Sequence, residues 1–188
     1  NELKFLVGFF YFSGIRELYP ELKQNPKVVI KVLVGLNVDK LNYQLIEYAD
    51  SDDQSGRLSN EEISQRFLDS IKKSINTEKF DTQEFYEQIR FFVELIKNDR
   101  LIIRKTFRPN HAKLYIFRLQ GEQVRRNLFI TGSSNLTSPG LTTQEEFNVE
   151  ISDYGFENAE EYFDNLWNEA VKITENDTLK QRLIELVE

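Results

Sequence analysis

Cysteine and methionine are both absent from this sequence, and histidine occurs once, at position 111. Without cysteine there is no disulfide, no thiol nucleophile and no cysteine-based zinc site. One histidine cannot build a histidine-rich metal centre, and neither HExxH nor CxxC occurs. The 31 Asp and Glu residues leave a carboxylate magnesium site open, but no recognisable spacing marks one. Long apolar runs are missing too. The most apolar stretch, LKFLVGFFYF from Leu3, is too short to span a bilayer and lacks the flanks of a signal peptide. No membrane association is therefore expected, and the cysteine-free composition suits a reducing, cytoplasmic setting. The chain starts at Asn1 and runs straight into a strand pattern, so a fragment of a longer protein is expected.

What is present fits one domain of 188 residues, large enough to bury a core without staples. The net charge of −7 argues at first against a nucleic-acid partner, but the distribution is uneven. Residues 100–126 carry eight Lys or Arg against the single acidic Glu122, whereas residues 127–188 carry three against thirteen Asp or Glu. Arg104, Lys105, Arg108, Lys113, Arg118, Arg125 and Arg126 thus surround His111 in sequence, a pattern able to hold phosphates within an acidic protein. For Arg125 and Arg126, solubilising a turn explains the charge equally well.

Periodicity gives the elements. Leu3–Gly14 reads as a strand covered on both faces, followed by a helix carrying Ile15, Leu18 and Leu22 that kinks or restarts at Pro20. Val28–Gly35 is a second buried strand, so the opening has the βαβ rhythm of a parallel or mixed sheet. A short helix is expected in LNYQLIEYA and a polar loop from Asp50 to Asn60. Ser59 and Glu62 read as a capping box for a helix with Ile63, Phe67, Ile71 and Ile75 on one stripe. After a break at Thr77–Asp81, Phe85, Ile89, Phe92, Val93 and Ile96 mark another helix. Both stripes are read as core. Leu101–Phe107 is a strand ended by an RPN turn, and Ser138–Leu141 starts a short helical turn. Glu145–Asp153 is a strand with Phe147, Val149 and Ile151 on its covered face. Phe156–Thr174 and Asn176–Val187 complete the chain as helices.

The stretch HAKLYIFRLQGEQVRRNLFITGSSNLT, His111 to Thr137, reads as two alternating strands joined by the turn QGEQVRRN. Alternation places His111 and Lys113 on one face of the first strand, and the second ends in Gly132-Ser133-Ser134-Asn135. A lone histidine is by default a surface or hydrogen-bonded residue. Lys113 beside it changes the balance, because a lysine facing a core is costly unless it meets an anion. An imidazole, an ammonium, hydroxyls and an amide together make an anion-binding and nucleophilic site.

This stretch resembles the HKD motif of the phospholipase D superfamily, in which His-x-Lys is followed by a strand carrying Gly-Ser-x-Asn; the matching positions are His111, Lys113, Gly132, Ser133 and Asn135. NLTSPGLTTQEEFNVEI and the opening VGFFYFSGIREL resemble phospholipase D-like nuclease domains found beside helicase motors and in some restriction endonucleases. In that group a glutamate after the Asn completes the site; Glu146 is the best match, ahead of Glu145 and Glu150. The resemblance implies an α/β fold with a mixed, largely parallel sheet flanked by helices on both faces. It implies a domain over residues 1–174 with a helical insertion at about 41–98, and a C-terminal helix at 175–188 that links to a following domain. It also implies phosphodiester cleavage of DNA through a phosphohistidine, with no metal or other cofactor, in a homodimer that pairs two His111 residues, as part of a helicase. Lys113 and Asn135 would hold phosphate oxygens and Glu146 would orient His111, with Ser133, Ser134, Arg118 and Arg108 as phosphate-binding or supporting residues. Two departures stand out. The family's aspartate position, five after the lysine, is Arg118, and the Lys113–Gly132 spacing is longer than usual. The alternative reading is a non-catalytic DNA-binding domain of a helicase that keeps the phosphate pocket.

Overall fold

A computed structural model of the chain describes residues 2–10, 12–36, 59–75, 83–119, 124, 126–137, 141–143 and 145–187. The expected helix in LNYQLIEYA, nearly all of the polar loop from Asp50, the break at Thr77–Asp81, most of the turn after Arg118 and Ser138–Gly140 lie outside these residues.

The apolar opening forms β1 (Glu2–Val7), which ends seven residues earlier than its composition suggests. An apolar run cannot by itself tell strand from buried loop. Here Phe9 and Phe10 stay buried while the chain leaves the sheet, and Phe10 makes an isolated bridge to Leu136. Two short helices follow, α1 (Phe12–Glu17) and α2 (Tyr19–Gln24). They separate at Leu18 because Pro20 falls in the first turn of α2, where its missing N–H costs nothing. Next come β2 (Val29–Val34), α3 (Asn60–Ile75) and α4 (Gln83–Lys97).

The capping box forms. Ser59 Oγ accepts the Glu62 N–H at 3.2 Å, and the Glu62 carboxylate accepts the Ser59 N–H at 2.8 Å. Ser59→Ala is expected to lower the melting temperature by about 2–4 °C, the effect of losing one N-cap in a domain of this size, with an unchanged denaturant m-value.

The remaining strands are β3 (Leu101–Lys105), β4 (Leu114–Arg118), β5 (Asn127–Gly132) and β6 (Asn148–Ser152). Helix α5 (Phe156–Glu169) is followed by a two-residue strand β7 (Val171–Lys172) and helix α6 (Asp177–Val187). The helix expected through Thr174 therefore stops five residues short. Ala170 turns extended, and the β-branched Val171, Ile173 and Thr174 then run along β3, Thr174 Oγ1 accepting the Ile103 N–H at 2.9 Å.

One seven-stranded sheet results, in the order β6-β5-β4-β1-β2-β3-β7. Only β1–β2 and β2–β3 pair in parallel; β1–β4, β3–β7, β4–β5 and β5–β6 are antiparallel. This corrects the expectation of a largely parallel sheet. Helical crossovers make β1, β2 and β3 parallel, whereas the short connection between β4 and β5 permits only antiparallel neighbours. The fold is α/β, with a mixed and mostly antiparallel sheet between helices.

Alternation along the strands divides the core. Phe5, Val7, Val32, Val34 and Ile103 face α1–α4 and α6; the stripe residues Ile63, Phe67, Ile71, Phe92, Val93 and Ile96 are buried there, with Leu183, Ile184 and Val187 of α6. Leu6, Leu33, Leu114, Ile116 and Phe129 face α5. Gly155 gives α5 no side-chain cap. Phe156, Phe163 and Trp167 are nonetheless buried, and at about 2–3 kcal/mol each their burial outweighs any cap. At the β6 edge the expected covered face is incomplete. Ile151 packs against the α5 core, but Phe147 and Val149 are exposed.

Candidate functional site

The site lies where the parallel strands end. The carboxyl ends of β1 and β5 meet the approach to β4 around a cavity of about 510 Å³, whose lining includes Phe9, His111, Lys113, Ser133, Asn135 and Glu146. Ligands of open α/β sheets collect outside the carboxyl ends of parallel strands.

His111 and Lys113 come just before β4, which starts at Leu114, instead of inside it. Their spacing still serves its purpose, since Lys113 Nζ lies 2.7 Å from His111 Nε2. The imidazole is exposed and Lys113 only 6% so. The approach segment is tied down at several points. The Asn110 N–H donates to the Gly35 carbonyl at 3.1 Å, and the Asn110 side chain accepts the Ala112 N–H and donates to the Tyr162 hydroxyl. Thr131 Oγ1 donates to the Lys113 carbonyl at 2.9 Å, joining β5 to this segment.

From the other side comes Gly132-Ser133-Ser134-Asn135. Gly132 ends β5 where β6 approaches closely, and a Cβ there would overlap the Phe147 carbonyl oxygen. Asn135 Oδ1 accepts the Phe9 N–H at 3.0 Å, which directs its amide NH₂ group away from that bond. Gly8 leaves room for this arrangement: a Cβ would stand 3.1 Å from Asn135 Oδ1 and 3.3 Å from His111 Cδ2. Ser133 donates its hydroxyl to the Glu146 carboxylate and receives the Phe147 N–H at 3.1 Å. Ser134 is buried and supports the turn. Its hydroxyl accepts from Asn148 at 2.7 Å, and its carbonyl accepts the Tyr115 hydroxyl at 2.8 Å. Burial, helped by the negative charge of Glu146, pushes the Tyr115 phenol well above its usual range, so it remains a donor.

The structure therefore brings together His111, Lys113, Ser133, Asn135 and Glu146 around one cavity, with Ser134 behind them. It does not bring Arg108 and Arg118 there. Arg108 is exposed on the bend after β3 and is not part of the cavity lining. Arg118 ends β4, about 16 Å along the strand from Lys113. It pairs with Glu160 of α5 and lies over the Phe156 ring, away from the cavity lining. Glu160 also accepts from Lys4 at 3.0 Å. Burial alone would raise the Glu160 carboxyl, but hydrogen bonds from Arg118 and Lys4 hold it below the usual carboxylate range.

The described basic residues of this part of the chain likewise do not share one surface. Arg104 points to the α5 face, over Trp167 at 4.3 Å and paired with Glu175, while Lys105 is buried. Residues that sequence reasoning did not place at the site are Gly8, Phe9, Gly35, Asn110 and Thr131. None carries a distinctive local signal, because each acts through a contact with a distant segment. Among the described residues no group of three or more His, Asp or Glu is arranged to hold a metal ion, and no helix is long and apolar enough to cross a membrane.

A family model described as "Cardiolipin synthase, PLD-like domain" matches residues 23–167, more than three quarters of the chain and the whole His111–Glu146 region. The fold is similar to the crystal structure of phosphatidylserine synthase from Haemophilus influenzae Rd KW20, with a TM-score of 0.46 and 14% identity. That alignment covers 100% of this chain and 37% of the other. No curated protein sequence matches.

Proposed function

The chain belongs to the phospholipase D-like family, and from that premise and the pocket geometry we propose that it is a metal-independent phosphodiesterase acting on DNA. The observation that carries the reading is the convergence of His111, Lys113, Asn135 and Glu146 on one cavity. In this mechanism His111 Nε2 attacks phosphorus and the bond to the leaving oxygen breaks, giving a phosphohistidine. His111 of the partner subunit supplies the proton to that oxygen, then takes one from water as the water attacks phosphorus and frees the first imidazole. Lys113 and the amide NH₂ of Asn135 hold the non-bridging oxygens and neutralise charge in the transition state. Glu146 orients His111 from the same cavity, with Ser133 fixing its carboxylate. The single histidine of the chain is the reason for a homodimer; a fully active monomer would overturn it. The likeness of the Asn135–Ile151 stretch to helicase-associated nuclease domains directs the reading to DNA and to a motor in the same protein.

Arg118 in place of the family aspartate is the feature that favours the non-catalytic alternative; its side chain is engaged by Glu160 at the far end of β4. The test is cleavage of labelled DNA in excess EDTA. His111→Ala is expected to lower the rate by at least about 10³-fold, as losing a nucleophile does. DNA binding without cleavage by the unaltered protein favours the non-catalytic module. Hydrolysis of phospholipid vesicles with DNA left intact moves the substrate to lipid.

A further inference from the structure

The contact between Lys113 Nζ and His111 Nε2, at 2.7 Å, restricts the chemistry of the pocket. With Lys113 as an ammonium, which has three donors and no acceptor, the imidazole offers the Nε2 lone pair and carries its proton on Nδ1. That lone pair is the one an attack on phosphorus requires. We propose that Lys113 caps the nucleophilic nitrogen of His111 until substrate arrives, and that an anionic phosphoryl oxygen entering the pocket draws Lys113 away and uncaps it. The inference rests on the reading of His111 as nucleophile.

The surroundings fit an exchange of this kind. Thr131 holds the Lys113 carbonyl, so the backbone stays in place while the side chain changes partner. A hydrogen bond from an ammonium to an anionic oxygen is charge-assisted on both sides and is stronger than one to a neutral ring nitrogen. The amide NH₂ of Asn135, turned away from the Phe9 N–H, supplies a second donor to the same ligand. A neutral electrophile has no anionic oxygen with which to draw the lysine, and therefore meets a capped histidine. The pair thus selects anionic phosphodiesters over neutral esters by controlling the nucleophile, in addition to binding charge.

The only histidine in the chain gives one set of imidazole signals, which makes the idea directly measurable. In the ¹⁵N-labelled protein near neutral pH, two-bond proton–nitrogen correlations are expected to show the Nδ1–H tautomer. Lys113→Met is expected to lose that preference and Lys113→Arg, which keeps a cationic donor, to retain it. Diethyl pyrocarbonate, a neutral electrophile, is expected to modify His111 in Lys113→Met roughly tenfold faster than in the unaltered protein, the change that removing a charged hydrogen bond produces. Inorganic phosphate is expected to move the Nε2 resonance of the unaltered protein. An Nε2–H tautomer in the unaltered protein, or equal modification rates in the two, overturns the cap. An Nε2 resonance unmoved at saturating phosphate overturns its release. These readouts need no turnover, so failure of DNA cleavage would sink the nuclease reading without altering them.

Discussion

Gly35→Ala is expected to destabilise the protein by about 3 kcal/mol or more, the upper end of overpacking, and so to lower its melting temperature by roughly 10 °C. A Cβ at Gly35 would overlap the Asn110 carbonyl oxygen and crowd the Asn110 Cα. Both obstacles are backbone, so no side chain can swing aside. Gly35 is also pinned by hydrogen bonds, donating to the Val7 carbonyl at 2.8 Å and accepting the Asn110 N–H at 3.1 Å. Relief therefore requires the 106–110 segment to lift from the sheet end, which carries His111 out of register with Asn135. Activity in EDTA should fall further than the population of folded protein does. Gly155→Ala is the control. That glycine has φ +68 and open space where a Cβ would stand, so the cost is only the left-handed backbone, about 1 kcal/mol. Thermal unfolding and cleavage assays on both variants check this. Equal, small losses from the two would show that the Gly35–Asn110 approach does not constrain the site.

Lys105→Met is expected to change how stability depends on pH. Lys105 is 5% exposed, and its ammonium donates to the Gly35 carbonyl at 3.0 Å and to the carbonyl and hydroxyl oxygens of Thr106, all neutral acceptors. Burial lowers its pKa from 10.5 to about 8. Below pH 8 both folded and unfolded chains hold the proton, and the cost of burying the charge is fully present. Between pH 8 and 10.5 the unfolded chain binds the proton and the folded chain does not, so this group makes stability rise with pH. The whole change amounts to about 3 kcal/mol. The methionine variant lacks that contribution together with the three hydrogen bonds, each worth about 1 kcal/mol net. Relative to Lys105→Met, the unaltered protein should therefore gain about 3 kcal/mol from pH 7 to above 10. Denaturant unfolding of the pair at pH 7, 8.5 and 10 measures this difference, in which titrations common to both proteins cancel. Parallel pH curves would mean that Lys105 keeps an ordinary pKa in the fold.

Local physics was readable without the fold. The capping box of Ser59 and Glu62, the stripes of α3 and α4 and the apolar run of β2 depend on neighbours one to four residues away, and the corresponding elements form. His-x-Lys and Gly-Ser-Ser-Asn were legible for the same reason: each is a short spacing, and the family match spans them both. Strand direction was not legible, because it depends on which strands become neighbours. β4 inserts beside β1 and makes the sheet mostly antiparallel, although the first half of the chain runs in parallel crossovers. The fate of the basic stretch was hidden too. Positions adjacent in sequence alternate across a sheet, sending Arg104 and Arg118 toward the acidic residues of α5 and beyond it, while Lys105 and Lys113 are buried elsewhere. The sequence by itself determined the elements and the chemical groups of the pocket, since these follow from short-range periodicity and residue type. Only the tertiary structure decided that Arg118 pairs with Glu160, that Gly35 and Asn110 hold the histidine segment, and that Lys113 meets His111 Nε2, because these depend on strand order, burial and contacts between distant segments.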